Sequence, residues 1–232
     1  MIVNLFFAFS LMISSGYSQK YELSILGFPI GSLNQKKEKN TIKLSIKSTN
    51  LLEIFLKFDD TYFTTFDTIN YNMINFKKII KQDKKIASYA KLDSLNNIIY
   101  NDKNKIKLLD NSKNVFTLIF MIQKEDYTSI DAKWFNYEHE GNIGKARFLW
   151  ADSSFVFYNK DSVLCDHYRL DIKLDKPIKD IINNPDYFMN NIINENSIKE
   201  FWVSKKIPKK IVAAKIKFNT IPIPIYANLY ND

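Results

Sequence analysis

Along most of this chain, hydrophobic and polar residues alternate with a period of two. Tyr21, Leu23 and Ile25 are separated by Glu22 and Ser24, and Ile42, Leu44 and Ile46 by Lys43 and Ser45. A period of two puts alternate side chains on opposite faces of a strand, one face toward a core and one toward water. Phe76–Lys81 reads as a less regular strand, followed by Ile86–Leu92, Asn97–Tyr100 and Lys105–Leu109. The turn-forming clusters Gln82-Asp83-Lys84, Asp93-Ser94 and Asn101–Asn104 separate them. A rhythm of about ten residues per strand and turn predicts an antiparallel meander.

The second half continues the rhythm. Lys133–Glu140 and Lys145–Trp150 flank Gly141-Asn142-Ile143-Gly144, a hairpin-turn candidate. Ser154–Tyr158 and Val163–Leu174 pair across Asn159-Lys160-Asp161, and Lys210–Phe218 and Ile223–Leu229 form a closing hairpin around Asn219-Thr220. Two stretches break the pattern. Val115–Ile122 is apolar almost throughout and reads as a short buried helix capped by Asp110, Asn111 or Ser112, with a central strand as the alternative. Lys179–Asn196, interrupted by Pro185, fits one or two short helices or a long surface connection. So many antiparallel strands curl, because flat open sheets strain against their twist and expose edges. The expected fold is mainly all-β: an antiparallel meander curled into a barrel or half-barrel, with one or two short helices.

The first eighteen residues stand apart. Met1–Ser18 contains no charged side chain, and the apolar run Ile2–Ile13 leads into Ser14, Ser15 and Gly16. That is the layout of a secretory signal peptide, with Gly16 and Ser18 at −3 and −1 of a cut between Ser18 and Gln19. The alternatives are an uncleaved anchor or a buried strand. The run falls short of the roughly 20 apolar residues a membrane span needs. No later run is longer, so no transmembrane span is expected after processing. With no linker in view, residues 19–232 are expected to form a single β-domain, periplasmic or secreted.

Composition changes this picture little. Of 232 residues, 46% are hydrophobic and 15% aromatic, enough to build a core. The net charge of +8 invites a nucleic-acid reading, but Arg147 and Arg169 are the only arginines among 33 basic residues. Arginine is the residue best suited to bidentate phosphate recognition, so no nucleic-acid partner is expected. The lysines read as a solvated surface on the outer faces of strands, leaving room for attraction to an anionic surface. Cys165 is the sole cysteine, which rules out an intrachain disulfide. Its position in an alternating run predicts a buried, inert thiol.

The last third carries a recognisable order: Phe201-Trp202-Val203-Ser204, the basic turn Lys205–Lys210, and a final strand Ile223–Leu229. Together with the opening strand and glycine bend of Tyr21–Gly31, it resembles the exported bacterial family known as domain of unknown function 3108. The resemblance implies export and a mostly antiparallel β-architecture, and implies no activity.

Candidate chemistry is sparse. Glu138-His139-Glu140 reads as a solvated strand end, with the two carboxylates on one face and the imidazole on the other. That arrangement suits neither a metal site nor a His-Glu-x-x-His helix. No Gly-x-Ser-x-Gly turn marks a nucleophile, so no catalytic residue, metal site or cofactor is assigned. Trp134, Trp150 and Trp202 are candidates to line a ligand cleft, against the plainer role of core packing. The expected function is an exported envelope protein, more a binding module than an enzyme, for a lipid or other apolar ligand or an envelope protein. The alternatives are an envelope hydrolase using His139 or His167 with nearby carboxylates, and a structural or assembly module.

Overall fold

A computed structural model describes residues 17–49, 58–81, 85–158, 160–176, 186–218 and 223–230. The strands run in chain order as β1 (Tyr17–Ile25), β2 (Phe28–Glu38), β3 (Thr41–Ser48), β4 (Asp59–Phe66), β5 (Met73–Lys81), β6 (Lys85–Leu92), β7 (Asn97–Tyr100) and β8 (Asn104–Lys107). They continue as β9 (Phe135–His139), β10 (Asn142–Tyr158), β11 (Asp161–Leu174), β12 (Ile198–Ser204), β13 (Ile211–Lys217) and β14 (Ile225–Tyr230). Among the described residues three short helices interrupt them: α1 (Val115–Met121), α2 (Tyr127–Ile130) and α3 (Tyr187–Ile193).

All fourteen strands belong to one sheet, in the order β8-β7-β6-β5-β4-β3-β2-β1-β14-β13-β12-β11-β10-β9. Every neighbouring pair is antiparallel. The sheet curls without closing, so the expected half-barrel is what the chain forms. Its two ends approach each other across one extended segment. Met73 N donates to Ser112 O (3.1 Å), Lys113 N to Asn136 O (2.9 Å) and Glu138 N to Lys113 O (2.9 Å), which links β5 to β9.

The curl wraps around α1. This helix has seven residues, too few to be stable alone. It begins at Asn114, whose side chain accepts from Thr117 N while Thr117 Oγ1 accepts from Asn114 N, a reciprocal capping box. The cap is Asn114 and none of the three residues expected from the sequence, because only Asn114 reaches the Thr117 amide. Six of the seven helical residues are buried. The Phe116 ring lies 5.2 Å from Tyr62 and 6.0 Å from Phe76, and Phe120 lies 5.3 Å from Phe66. The helix thus covers the inner faces of β4 and β5.

Three local expectations change. Residues 145–150 and 154–158 are one continuous strand, β10, carried through a bulge between Trp150 and Asp152. The hairpin before it turns at Glu140-Gly141, both with positive φ (50° and 85°), and Asn142 already belongs to β10. Gly144 lies inside that strand, where a Cβ would sit 2.1 Å from Lys173 O. Strands β2 and β4 extend through stretches with no clear apolar alternation. Their inner faces carry Gln35, Asp60 and Thr64, all buried. The expected turns at 82–84, at Asn159 and at Asn219-Thr220 lie outside the described residues, as do residues 179–185.

Phe116→Ala is expected to cost about 3–5 kcal/mol of stability in urea denaturation, the usual range for truncating a packed core aromatic. Phe155→Ala, at a site 71% exposed, should change stability by less than about 0.5 kcal/mol.

Candidate functional site

Between the inner face of the sheet, α1 and α3 lies a cavity of about 90 Å³. Its walls are almost wholly apolar: Leu23, Ile42 and Ile225 from the sheet, Ile119 from α1, and Phe188 and Ile192 from α3. Gln35 and Lys199 are the polar exceptions, apart from the Tyr21 hydroxyl. The Lys199 ammonium donates to Asn194 O (2.7 Å) and Ser197 O (2.8 Å), just after α3, and burial pulls it down to about 8.

The other end of α3 is fixed by charge. Asp186 caps the helix, accepting from Met189 N (3.0 Å) through Oδ1, and its Oδ2 accepts from Tyr62 Oη (2.9 Å). Lys78 Nζ lies 3.6 Å from the same oxygen and 2.6 Å from Glu140 Oε1. Lys78 and Asp186 are fully buried. One lysine therefore joins the helix cap to the β9–β10 turn, and α3 roofs the cavity between two polar anchors.

The expected solvated strand end at Glu138-His139-Glu140 is instead interior, with exposures of 0%, 1% and 5%. The reason is tertiary: β5 and β7, distant in sequence, bring partners to it. Glu138 Oε1 accepts from Tyr100 Oη and Gly141 N, both at 2.6 Å. Glu138 Oε2 and His139 Nε2 have no hydrogen-bond partner among the described residues. The His139 ring meets Phe76 (5.3 Å) and Phe116 (5.6 Å) edge-on. Burial raises both Glu138 and Glu140 to about 7, and burial with the Lys78 charge lowers His139 to about 3. The picture of lysines confined to solvent also needs correction, since Lys78, Lys113 and Lys199 are buried.

The remaining candidates lie apart from the cavity. The half-buried His167 ring stacks on Trp202 at 4.4 Å, with Nδ1 3.6 Å from Asp152 and Nε2 3.4 Å from Glu200. Trp150 donates to Asp166 Oδ1 (3.1 Å) and stacks on Tyr127 (5.0 Å). Trp134 carries the Arg147 guanidinium 4.5 Å over its ring. The structure brings none of the three tryptophans to the cavity wall and does not bring them together. Neither imidazole hydrogen-bonds to a serine among the described residues, and no group of three or more acidic, histidine or cysteine side chains there is placed to hold a metal ion. Cys165 is buried, its thiol pushed up to about 11, chiefly by burial. Ser18 and Gln19 lie in β1, with Gln19 buried and its side chain bonded to Gln123 (2.9 Å) and Tyr21 (2.6 Å). Sequence patterning missed Lys78, Asp186, Gln35 and Lys199. A lysine or glutamine at an inward register position was the available signal.

No protein-family profile matches the sequence, and no curated protein matches it. Two solved structures match the chain. A β-barrel-like protein of the domain of unknown function DUF1849 from Brucella abortus is 8% identical, covering 93% of this chain and 96% of its own, with a TM-score of 0.56. The hypothetical lipoprotein YmcC from Escherichia coli is 11% identical, covering 93% of this chain and 87% of its own, with a TM-score of 0.40. At 8% identity, the first likeness is one of architecture.

The buried carboxyls make stability depend on pH. Glu138 and Glu140 rise from 4.5 to about 7 on folding. The folded state then holds more protons, and their contribution is lost as pH climbs from about 4.5 to about 7. His139, lowered from 6.5 to about 3, acts oppositely and costs stability as pH falls through that window. Glu138→Gln keeps an acceptor for Tyr100 and Gly141. It should reduce the loss between pH 4.5 and 7 by up to one proton's worth, about 1.4 kcal/mol per pH unit, measured as urea midpoints across pH. An unchanged slope contradicts the assignment.

Proposed function

We propose that this chain is an exported envelope protein, processed before Gln19, that holds the apolar part of a ligand inside its curled sheet. It acts as a binding module. The observation that carries this reading is the apolar cavity roofed by α3. Support for export comes from the uncharged apolar leader, which lies outside the described residues except for Tyr17 and Ser18. Removing those two leaves Gln19–Ile25 paired with β2 and Lys20–Ile25 paired with β14. No helix among the described residues is long and apolar enough to cross a membrane. Membership of the family known as domain of unknown function 3108 stays part of this proposal.

The size of the cavity sets a condition. At about 90 Å³ it is well below the roughly 300–1,000 Å³ of common ligand pockets. It takes a short alkyl segment as it stands. A longer chain requires α3 to move outward, withdrawing Phe188, Met189 and Ile192. Hydrocarbon contact replaces what they lose, because each buried methylene contributes about 0.8 kcal/mol.

A second reading rests on a different surface. Phe155 and Phe157 share one face near the tip of the β10–β11 hairpin and are 71% and 76% exposed. Such a pair suits docking to an envelope protein.

Native mass spectrometry of protein purified from its own envelope, with lipid extraction, tests the two readings. The first expects a bound apolar molecule, lost in Ala214→Trp, which fills the cavity from β13. A co-purifying protein lost on Phe155→Ser favours the second. An empty wild type that also takes up no added monoacyl lipid overturns the first.

A further inference from the structure

A second cleft, of about 1,160 Å³ with Tyr17 and Ser18 still forming part of its wall, opens at one end of the curled sheet; the proposed processing before Gln19 takes those two away and leaves its lysines in place. It lies between the β2–β3 turn, the end of α1 and the loop before β13, and Lys37, Lys39, Lys124 and Lys210 line it against one acid, Glu38. Among the described residues none of the four lysines is paired with a carboxylate. Two of them crowd one ring: Lys37 Nζ is 4.9 Å and Lys124 Nζ 5.6 Å from the centroid of Phe120. Burial, and then the Lys124 charge, hold the Lys37 ammonium below its ordinary value. Like charges gathered without a counter-ion are relieved by a bound anion.

The cleft adjoins the apolar cavity along three elements. Along the inner face of β2, Leu33 and Gln35 line the cavity and Lys37 lines the cleft. On α1, Ile119 belongs to the cavity and Phe120 and Lys124 to the cleft. At β13, Ile211 and Lys210 divide in the same way. At the boundary, Gln35 is 3% exposed and lines the cavity. Its side-chain amide offers both a donor and an acceptor to the polar group of a ligand. The order along one strand is therefore hydrocarbon, amide, cation.

We propose that the ligand is an amphiphile with an anionic head: its chain enters the apolar cavity, its polar linker meets Gln35, and its phosphate or carboxylate sits among Lys37, Lys124 and Lys210. This rests on the apolar-ligand reading above and names the ligand's chemical class. The ordered sequence of chemistries fits an amphiphile better than a free anion, which would leave Gln35 and the cavity unused.

Calorimetric titration of the processed full chain, below the critical micelle concentration, tests this with three probes. They are 1-palmitoyl lysophosphatidic acid, monopalmitoylglycerol and inorganic phosphate. The anionic amphiphile should bind more tightly than the neutral one, by about fivefold for each lysine engaged. Added salt should shrink that advantage. Lys37→Gln/Lys124→Gln should remove most of it while leaving monopalmitoylglycerol affinity unchanged, which also shows that the variant is folded. Equal affinity of the wild type for both amphiphiles, or a preference that survives in the double variant, overturns the head-group site and leaves the apolar site standing. Phosphate alone binding as tightly as the lipid also overturns it. Failure of both amphiphiles to bind overturns the apolar-ligand reading, and this inference with it.

Discussion

A sheet of fourteen antiparallel strands with one apolar face has to cover that face, and this requirement organises the molecule. Curling brings the inner faces of β1–β5 and β11–β14 toward one another but leaves a space too wide for side chains alone to fill. The helix α1 occupies part of it. Phe116 and Phe120 pack on Tyr62, Phe76 and Phe66, and the Asn114 cap fixes where the helix enters. Sheet and helix are mutually dependent, because seven residues of helix have no stability apart from this packing. The remaining space, bounded by α3, is the cavity on which the functional reading rests.

The polar interior follows from the same curl. Bringing the sheet ends together places β5 and β7 beside the β9–β10 turn, which buries Lys78, Glu138 and Glu140. Buried charges are tolerated only when paired and hydrogen-bonded. Lys78 meets Glu140 and Asp186, and Glu138 meets Tyr100 and Gly141. Because Asp186 also caps α3, the network ties the roof of the cavity to its wall. A roof held by a few polar contacts and a modest apolar face can move more readily than α1, which is buried on nearly all sides.

Strands with clean alternation, such as β3 and β11, are readable directly from the chain, and so is the apolar run that forms α1. Strands β2 and β4 are not, and the reason is physical. Their inward positions carry Gln35, Lys37, Asp60 and Thr64, residues that build polar features and so break the hydrophobic period. The Glu138-His139-Glu140 triplet misleads in the opposite direction. Its composition suggests water, while Tyr100 and Lys78, which make its burial tolerable, lie 38 and about 60 residues away and no local pattern reports them. The tryptophans attract attention by size, yet each is satisfied by its own neighbour. The cavity is built from ordinary Leu, Ile and Phe, which carry no mark in the sequence beyond their place in the alternation.

The central claim is that hydrocarbon occupies the space between the sheet, α1 and α3. Intermolecular nuclear Overhauser effects between a palmitoyl chain and ¹³C-labelled isoleucine methyls test it most directly. The account predicts contacts from the chain to Ile42, Ile119, Ile192 and Ile225, which line the cavity. Contacts confined to Ile69 and Ile207, which are 80% and 83% exposed, would contradict it.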